Sequence, residues 1–170
     1  VETQVKNGTL IISIKKDGQR FFNNWKTNNN LLIKISAKSL DALSQRGSGN
    51  IVVNNPIKGN TFQLSLTGSG DITVPVNVNS LTAKIVGSGD ISMQGTAKSA
   101  DVSVSGSGDF EGSSLKTQDA NTKISGSGDI DIYVSNTLNA QLSGSGDISY
   151  AGSPKQVNKH KSGSGEISGR

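Results

Sequence analysis

Carboxylates recur at one fixed place in this sequence. Asp71, Asp90, Asp109, Asp129, Asp147 and Glu166 each follow a Gly-Ser-Gly triplet, and Asn50 holds the same place after the triplet that begins at Gly47. Asp131 and Glu111 lie alongside this file. A row of oxygen donors is the chemistry of a hard cation, and Ca²⁺ takes roughly six to eight oxygens from carboxylates and backbone carbonyls. If the copies stack in register, neighbouring carboxylates about 5 Å apart repel by roughly 1 kcal/mol even in a water-like dielectric. A row of calcium ions would relieve that repulsion. In the alternative, each carboxylate accepts hydrogen bonds from backbone N–H groups at a bend and points into solvent. The residues alone leave both readings open, so no cofactor is required, with Ca²⁺ as the one candidate.

Three further groups of residues could do chemistry. The segment KKDGQRFFNNWKTNNN, residues 15–30, holds Phe21, Phe22 and Trp25, flanked by Arg20 and Lys26. Such rings beside amides and cations suit stacking on a sugar or docking a protein partner. They would equally close the open end of a repeat stack, where burial contributes about 2 kcal/mol per ring. Ser48, Ser69, Ser88, Ser107, Ser127, Ser145 and Ser164, with Thr67, Ser105, Ser125 and Ser143, form a hydroxyl-rich row that would bond glycans or simply solvate a wall. His160 is the sole histidine and sits between Lys159 and Lys161. A Ser-His-Asp triad would have to use it, yet no nucleophile-elbow motif accompanies it. No catalytic residue is assigned.

Composition narrows the classes further. With 170 residues and no cysteine, the chain has neither disulfides nor a thiolate zinc site. Its formal charge of +4 comes from scattered Lys and Arg rather than a basic face, which argues against nucleic acid. No run approaches the roughly 20 apolar residues of a membrane span. Val1 opens the chain without a signal peptide, as in a cytosolic protein or the mature form of an exported one.

The elements that position the carboxylates follow from the period. The triplets begin at 47, 68, 87, 106, 126, 144 and 163, a spacing of 18 to 21 residues. Between them apolar residues alternate with period two, as in Leu81, Ala83, Ile85 and then, past the triplet, Ile91 and Met93. Alternation predicts strands, and a period of about 19 residues is too short for a propeller blade, which leaves one coil of an all-β single-stranded β-helix, or β-solenoid. Gly68 and Gly70, Gly87 and Gly89, Gly106 and Gly108, Gly126 and Gly128, and Gly144 and Gly146 fall on the inner parity as corner glycines that relieve crowding between opposite walls. Ser and Asp then face outward. The segments QGTAKS at 94–99 and GSSLKTQD at 112–119 absorb the variation in repeat length.

The predicted organisation is one solenoid domain over 1–170, of roughly eight coils. Residues 1–46 form its N-terminal coils, with Leu10, Ile12, Ile14 and Leu31, Ile33, Ile35 as inward strand residues around the aromatic loop 15–30. Residues 47–170 form the seven repeats. Lys159 and Lys161 take an inward parity in the last coil, as expected where a stack meets solvent.

The run VKNGTLIISIKK, the loop, LLIKISAKSLDALSQRGSGNI and the serial GSGDI copies together resemble the "putative auto-transporter adhesin, head GIN domain" family of bacterial envelope proteins. The resemblance covers nearly the whole chain. It implies a right-handed β-helix-like fold in an exported protein at the cell envelope or outer surface, including its periplasmic face. It further implies a strand pair and often a lipid anchor upstream of Val1. It carries no catalytic or binding residues with it. The GSGD phrase is also loosely similar to the Gly-Gly-x-Gly-x-Asp nonapeptide of calcium-binding β-rolls, from which it departs in spacing and in placing Asp directly after the second glycine.

The functional expectation is a non-enzymatic cell-surface or envelope interaction module of adhesin type, with a protein or glycan ligand and scope for a homo-oligomer. The rivals are a polysaccharide-acting β-helix enzyme and a calcium-binding β-roll-like scaffold. An enzyme of that kind gathers carboxylates in a cleft built by long loops, whereas here the loops are short and the carboxylates are spread along an axis.

Overall fold

Asn7 and Gly8 both have positive φ, 50° and 75°, the geometry of a type I′ hairpin turn. They join β1 (Glu2–Lys6) to β2 (Thr9–Ser13), which pair antiparallel with Val5 opposite Leu10. The computed structural model describes residues 1–14 and 31–170. Arg20, Phe21, Phe22, Trp25 and Lys26 lie outside the described residues. Two units are distinguished, Val1–Ser36 and Ala37–Arg170, and the hairpin belongs to the first.

This first unit differs from the sequence expectation of parallel coils. The Asn-Gly turn folds β2 back on β1, so the strand is spent in a local antiparallel pair. Leu31 to Ile35 form no strand, and Leu10, Ile14, Leu31, Ile33 and Ile35 are exposed rather than inward.

The second unit is an all-β solenoid. Its strands are β3 (Ala42–Gly47), β4 (Ile51–Val52), β5 (Ile57–Gly68), β6 (Ile72–Gly87), β7 (Ile91–Gly106), β8 (Phe110–Gly126), β9 (Ile130–Gly144), β10 (Ile148–Ala151), β11 (Gln156–Gly163) and β12 (Ile167–Gly169). All ten belong to one sheet in which every pairing is parallel and joins one coil to the next. About seven turns of roughly 19 residues result.

The period-two pattern becomes axial columns. Leu66, Ile85, Val104, Ile124 and Leu142 lie in register through five coils. Ile72, Ile91, Phe110, Ile130, Ile148 and Ile167 form a second column. These residues are all buried. Each large side chain withdrawn from water contributes about 2 kcal/mol, so the narrow core is effective because it repeats. The final coil ends the pattern: Lys159 and Lys161 stand in register with Ala140 and Leu142 but are exposed. Lys159 Nζ donates to the Ile167 carbonyl at 2.8 Å and lies 5.2 Å from the centre of the Tyr150 ring. Charges at core register disfavour a further strand being added there.

Candidate functional site

The repeated triplet is a corner whose two glycines have different tasks. The first has positive φ in every copy, for example 128° at Gly87 and 127° at Gly106, a region that L side chains rarely enter. The second is buried and directly above its counterpart: a Cβ on Gly89 would lie 2.1 Å from the Gly70 carbonyl oxygen. The crowding the sequence assigned to opposite walls is therefore axial. It comes from the backbone of the preceding coil.

The same close approach makes the hydrogen bonds. The Gly68 carbonyl accepts from Ser88 N–H at 2.9 Å and from Gly89 N–H at 3.1 Å. Ile72 N–H donates to the Asp90 carbonyl at 2.9 Å, so the ladder resumes just beyond the bend. Between these bonds lies the N–H of the acidic residue itself, which meets a side chain. Asp109 N–H donates to Asp90 Oδ1 at 2.8 Å, Asp129 N–H to Asp109 Oδ1 at 2.8 Å, Asp147 N–H to Asp129 Oδ1 at 2.7 Å and Glu166 N–H to Asp147 Oδ1 at 2.7 Å. The series starts from Asn50 Oδ1 and Asp71 N–H at 3.1 Å, and its link from Asp90 N–H to Asp71 Oδ1 is longer at 3.4 Å.

Each Asp in the file thus completes the backbone ladder of the next coil. Among the described residues, no group of three or more His, Asp or Glu side chains is arranged to hold a metal ion. Asp131 accepts from Arg170 at 2.8 Å and stands in register with Glu111. The serine row is exposed at the corner, and His160 is exposed in β11, opposite Gln141.

A second place of interest is a wall where the repeats fall out of step. Gly112 pairs with Ile132, yet the next pair is Lys116 with Tyr133, so three residues of β8 have no partner in β9. A smaller slip separates Ser92 and Gln94 of β7 from Glu111 and Ser114 of β8. These slips fall in 112–119, one of the segments expected to absorb length variation. Beside them opens a groove of about 440 Å³, lined by residues of β6, β7, β8 and β9. Asn77, Thr96, Lys116 and Tyr133 run across it in register, one from each coil. Thr96 Oγ1 donates to Asn77 Oδ1 at 2.8 Å, and Thr117 Oγ1 donates to the Tyr133 carbonyl at 2.6 Å.

Sequence reasoning passed over this groove, and over two ladders of asparagine. Asn79 donates to Asn60 at 2.8 Å, while Asn158 donates to Asn139 and Asn139 to Asn121, both at 2.8 Å. The available signal was Asn recurring one coil apart.

The family described as "Putative auto-transporter adhesin, head GIN domain" matches residues 1–154. Among solved structures, a putative adhesin from Bacteroides fragilis NCTC 9343 is 27% identical, with a TM-score of 0.90, over 99% of this chain and 76% of that one. A putative lipid binding protein from Parabacteroides distasonis ATCC 8503 is 32% identical, with a TM-score of 0.74, over 76% of this chain and 52% of that one. A putative adhesin from Parabacteroides merdae ATCC 43184, at 24% identity and a TM-score of 0.67, covers 76% of this chain and 57% of its own and agrees in fold. No curated protein matches the sequence.

Proposed function

Because this chain belongs to the putative auto-transporter adhesin, head GIN domain family, we propose that it is a non-enzymatic interaction module, exported and displayed at the cell envelope or outer surface. The observation that carries this reading is the arrangement of its polar side chains. They stand outward in axial rows on walls that a closed apolar core holds still. Such walls present many weak contacts at the coil spacing of about 4.8 Å, which suits an extended partner better than a compact substrate.

The structural relative named as a putative adhesin supports the same direction. Against the enzyme alternative stands the geometry of the Asp file from Asp71 to Asp147, each member of which gives an oxygen to the next coil's backbone rather than converging on a common point. Among the described residues, no helix is long and apolar enough to cross a membrane.

The aromatic segment remains a second recognition element by composition. Trp25→Ala should weaken partner binding if that segment takes part, and unchanged binding would remove it from the reading. The test of the main proposal is a binding survey of the purified chain against immobilised glycans and matrix proteins, with Ca²⁺ and with chelator. Saturable binding without Ca²⁺ is the expected outcome. Turnover of a polysaccharide in the same survey would replace the proposal with the enzyme reading.

A further inference from the structure

The wall groove gathers cations and amides in one recess. Its lining includes two cations, Lys98 and Lys116, and no carboxylate. Among the described residues neither lysine has a hydrogen-bond or ion-pair partner. Asn77, Asn79 and Gln118 add amides, and the half-buried ring of Tyr133 closes one side. The Tyr133 ring lies over Gly152, with its Cζ 3.2 Å from where a Cβ on that residue would stand. The recess spans four coils, so it accommodates a chain rather than a single small molecule.

We propose that this groove binds an acidic polysaccharide. The proposal rests on the interaction-module reading and specifies its ligand. Each part of the lining answers to a part of such a chain. The C–H face of a sugar ring lies against a tyrosine ring, amides bond hydroxyls in pairs, and ammonium groups meet carboxylates or sulfates in charge-assisted hydrogen bonds. The axial spacing of Asn77, Thr96, Lys116 and Tyr133 repeats these groups along one direction.

The register step lies beside the site. At the GSG corner, where coils match residue for residue, each Asp from Asp71 to Asp147 gives an oxygen to its axial neighbour. At 112–119 the register slips on both sides of Lys116 and leaves Gln118 without a partner in β9, while Lys116 itself keeps Thr96 and Tyr133 as its axial neighbours, and the recess lies beside these slips.

The experiment titrates the purified chain with a fluorescently labelled oligogalacturonate, a neutral malto-oligosaccharide and a poly-aspartate peptide. The variants are K98Q/K116Q in the groove and K84Q/K123Q on another wall, which removes the same charge elsewhere. Expected is oligogalacturonate binding that falls roughly tenfold or more in K98Q/K116Q, weakens with salt, and is unchanged in K84Q/K123Q. A melting temperature equal to that of the parent shows that the loss belongs to the site. Equal loss in both variants, equal binding of the neutral sugar, or tighter binding of poly-aspartate would each overturn the proposal. If oligogalacturonate binding survives K98Q/K116Q, or is absent while the chain binds another surveyed partner, the groove assignment alone falls. If no surveyed partner binds at all, the broader module reading falls with it.

Discussion

The GSG corner and the grooved wall are built from the same coils, yet they use their side chains in opposite ways. At the corner, glycine sits on glycine, and one carboxylate oxygen is committed to the next coil's N–H at 2.7 to 2.8 Å from Asp90 onward. On the wall at 112–119 the register slips, and Lys98 and Lys116 have no partner among the described residues. The corner thus bonds its acids into the fold, whereas the groove holds two cations that no described residue bonds. In this solenoid the repeated motif is therefore the stabilising feature, and the unbonded cations of the groove are the ones open to a ligand.

This contrast is sharpest at the second glycine of the corner. Gly89 does not have positive φ, so Gly89→Ala tests steric fit without backbone strain. Its Cβ would lie 2.1 Å from the Gly70 oxygen, and neither backbone can yield without disturbing the ladder. Roughly 3 kcal/mol or more of stability should be lost in chemical denaturation. Gly49, at the start of the column, would place its Cβ with no atom within 4 Å, and Gly49→Ala should stay within about 0.5 kcal/mol. Equal costs at the two sites would break the axial account of the corner.

The carboxylate ladder should show a smaller effect. Asp109→Ala leaves the Asp129 N–H without its acceptor, a loss of about 1 kcal/mol, moderated because water reaches this exposed corner. Asp109→Asn keeps an oxygen in place and removes like-charge repulsion, so it should be neutral within about 0.5 kcal/mol. Millimolar Ca²⁺ should leave the melting temperature unchanged. A large rise reversed by chelator would return the Asp file to metal chemistry.

The asparagine ladder ranks lower still. Asn139 bridges Asn121 and Asn158 through two neutral, exposed hydrogen bonds, and Asn139→Ala should cost about 0.5 kcal/mol in the same denaturation experiment. A cost matching that of Asp109→Ala would show that the corner has no special claim to backbone completion.

Why some of this was legible in the sequence and some was not has a physical basis. The coil was readable because two periods coincide there, the two-residue alternation of a strand and the repeat of about 19 residues. Lys159 and Lys161 were likewise placed correctly at the core register of the last coil, since parity is preserved through the repeat. The N-terminal runs misled because alternation specifies a strand but not its partner. The Asn-Gly pair at 7–8 was the overlooked sign of a local hairpin. The axial origin of the glycine requirement was also hidden, since a linear pattern shows which face a residue takes and not what lies one coil away. The groove needed more: 112–119 was identified as a segment absorbing extra length, but which side chains lose their partners depends on where β8 slips against both β7 and β9.

The smallest effect on stability is expected at the groove, and that is what makes it informative. Lys98 and Lys116 are exposed and unpaired among the described residues, so K98Q/K116Q should alter the unfolding free energy by less than about 0.5 kcal/mol. Denaturation of this double variant beside Gly89→Ala measures the two regions on one scale. A stability loss in K98Q/K116Q comparable to that of Asp109→Ala would mean that the lysines hold the irregular coils together. The wall would then be another form of corner, with its cations committed to the fold. Unchanged stability, with the fold intact, leaves them free of structural work, and an exposed pair of cations above an amide-lined recess can then be assigned to whatever the groove binds.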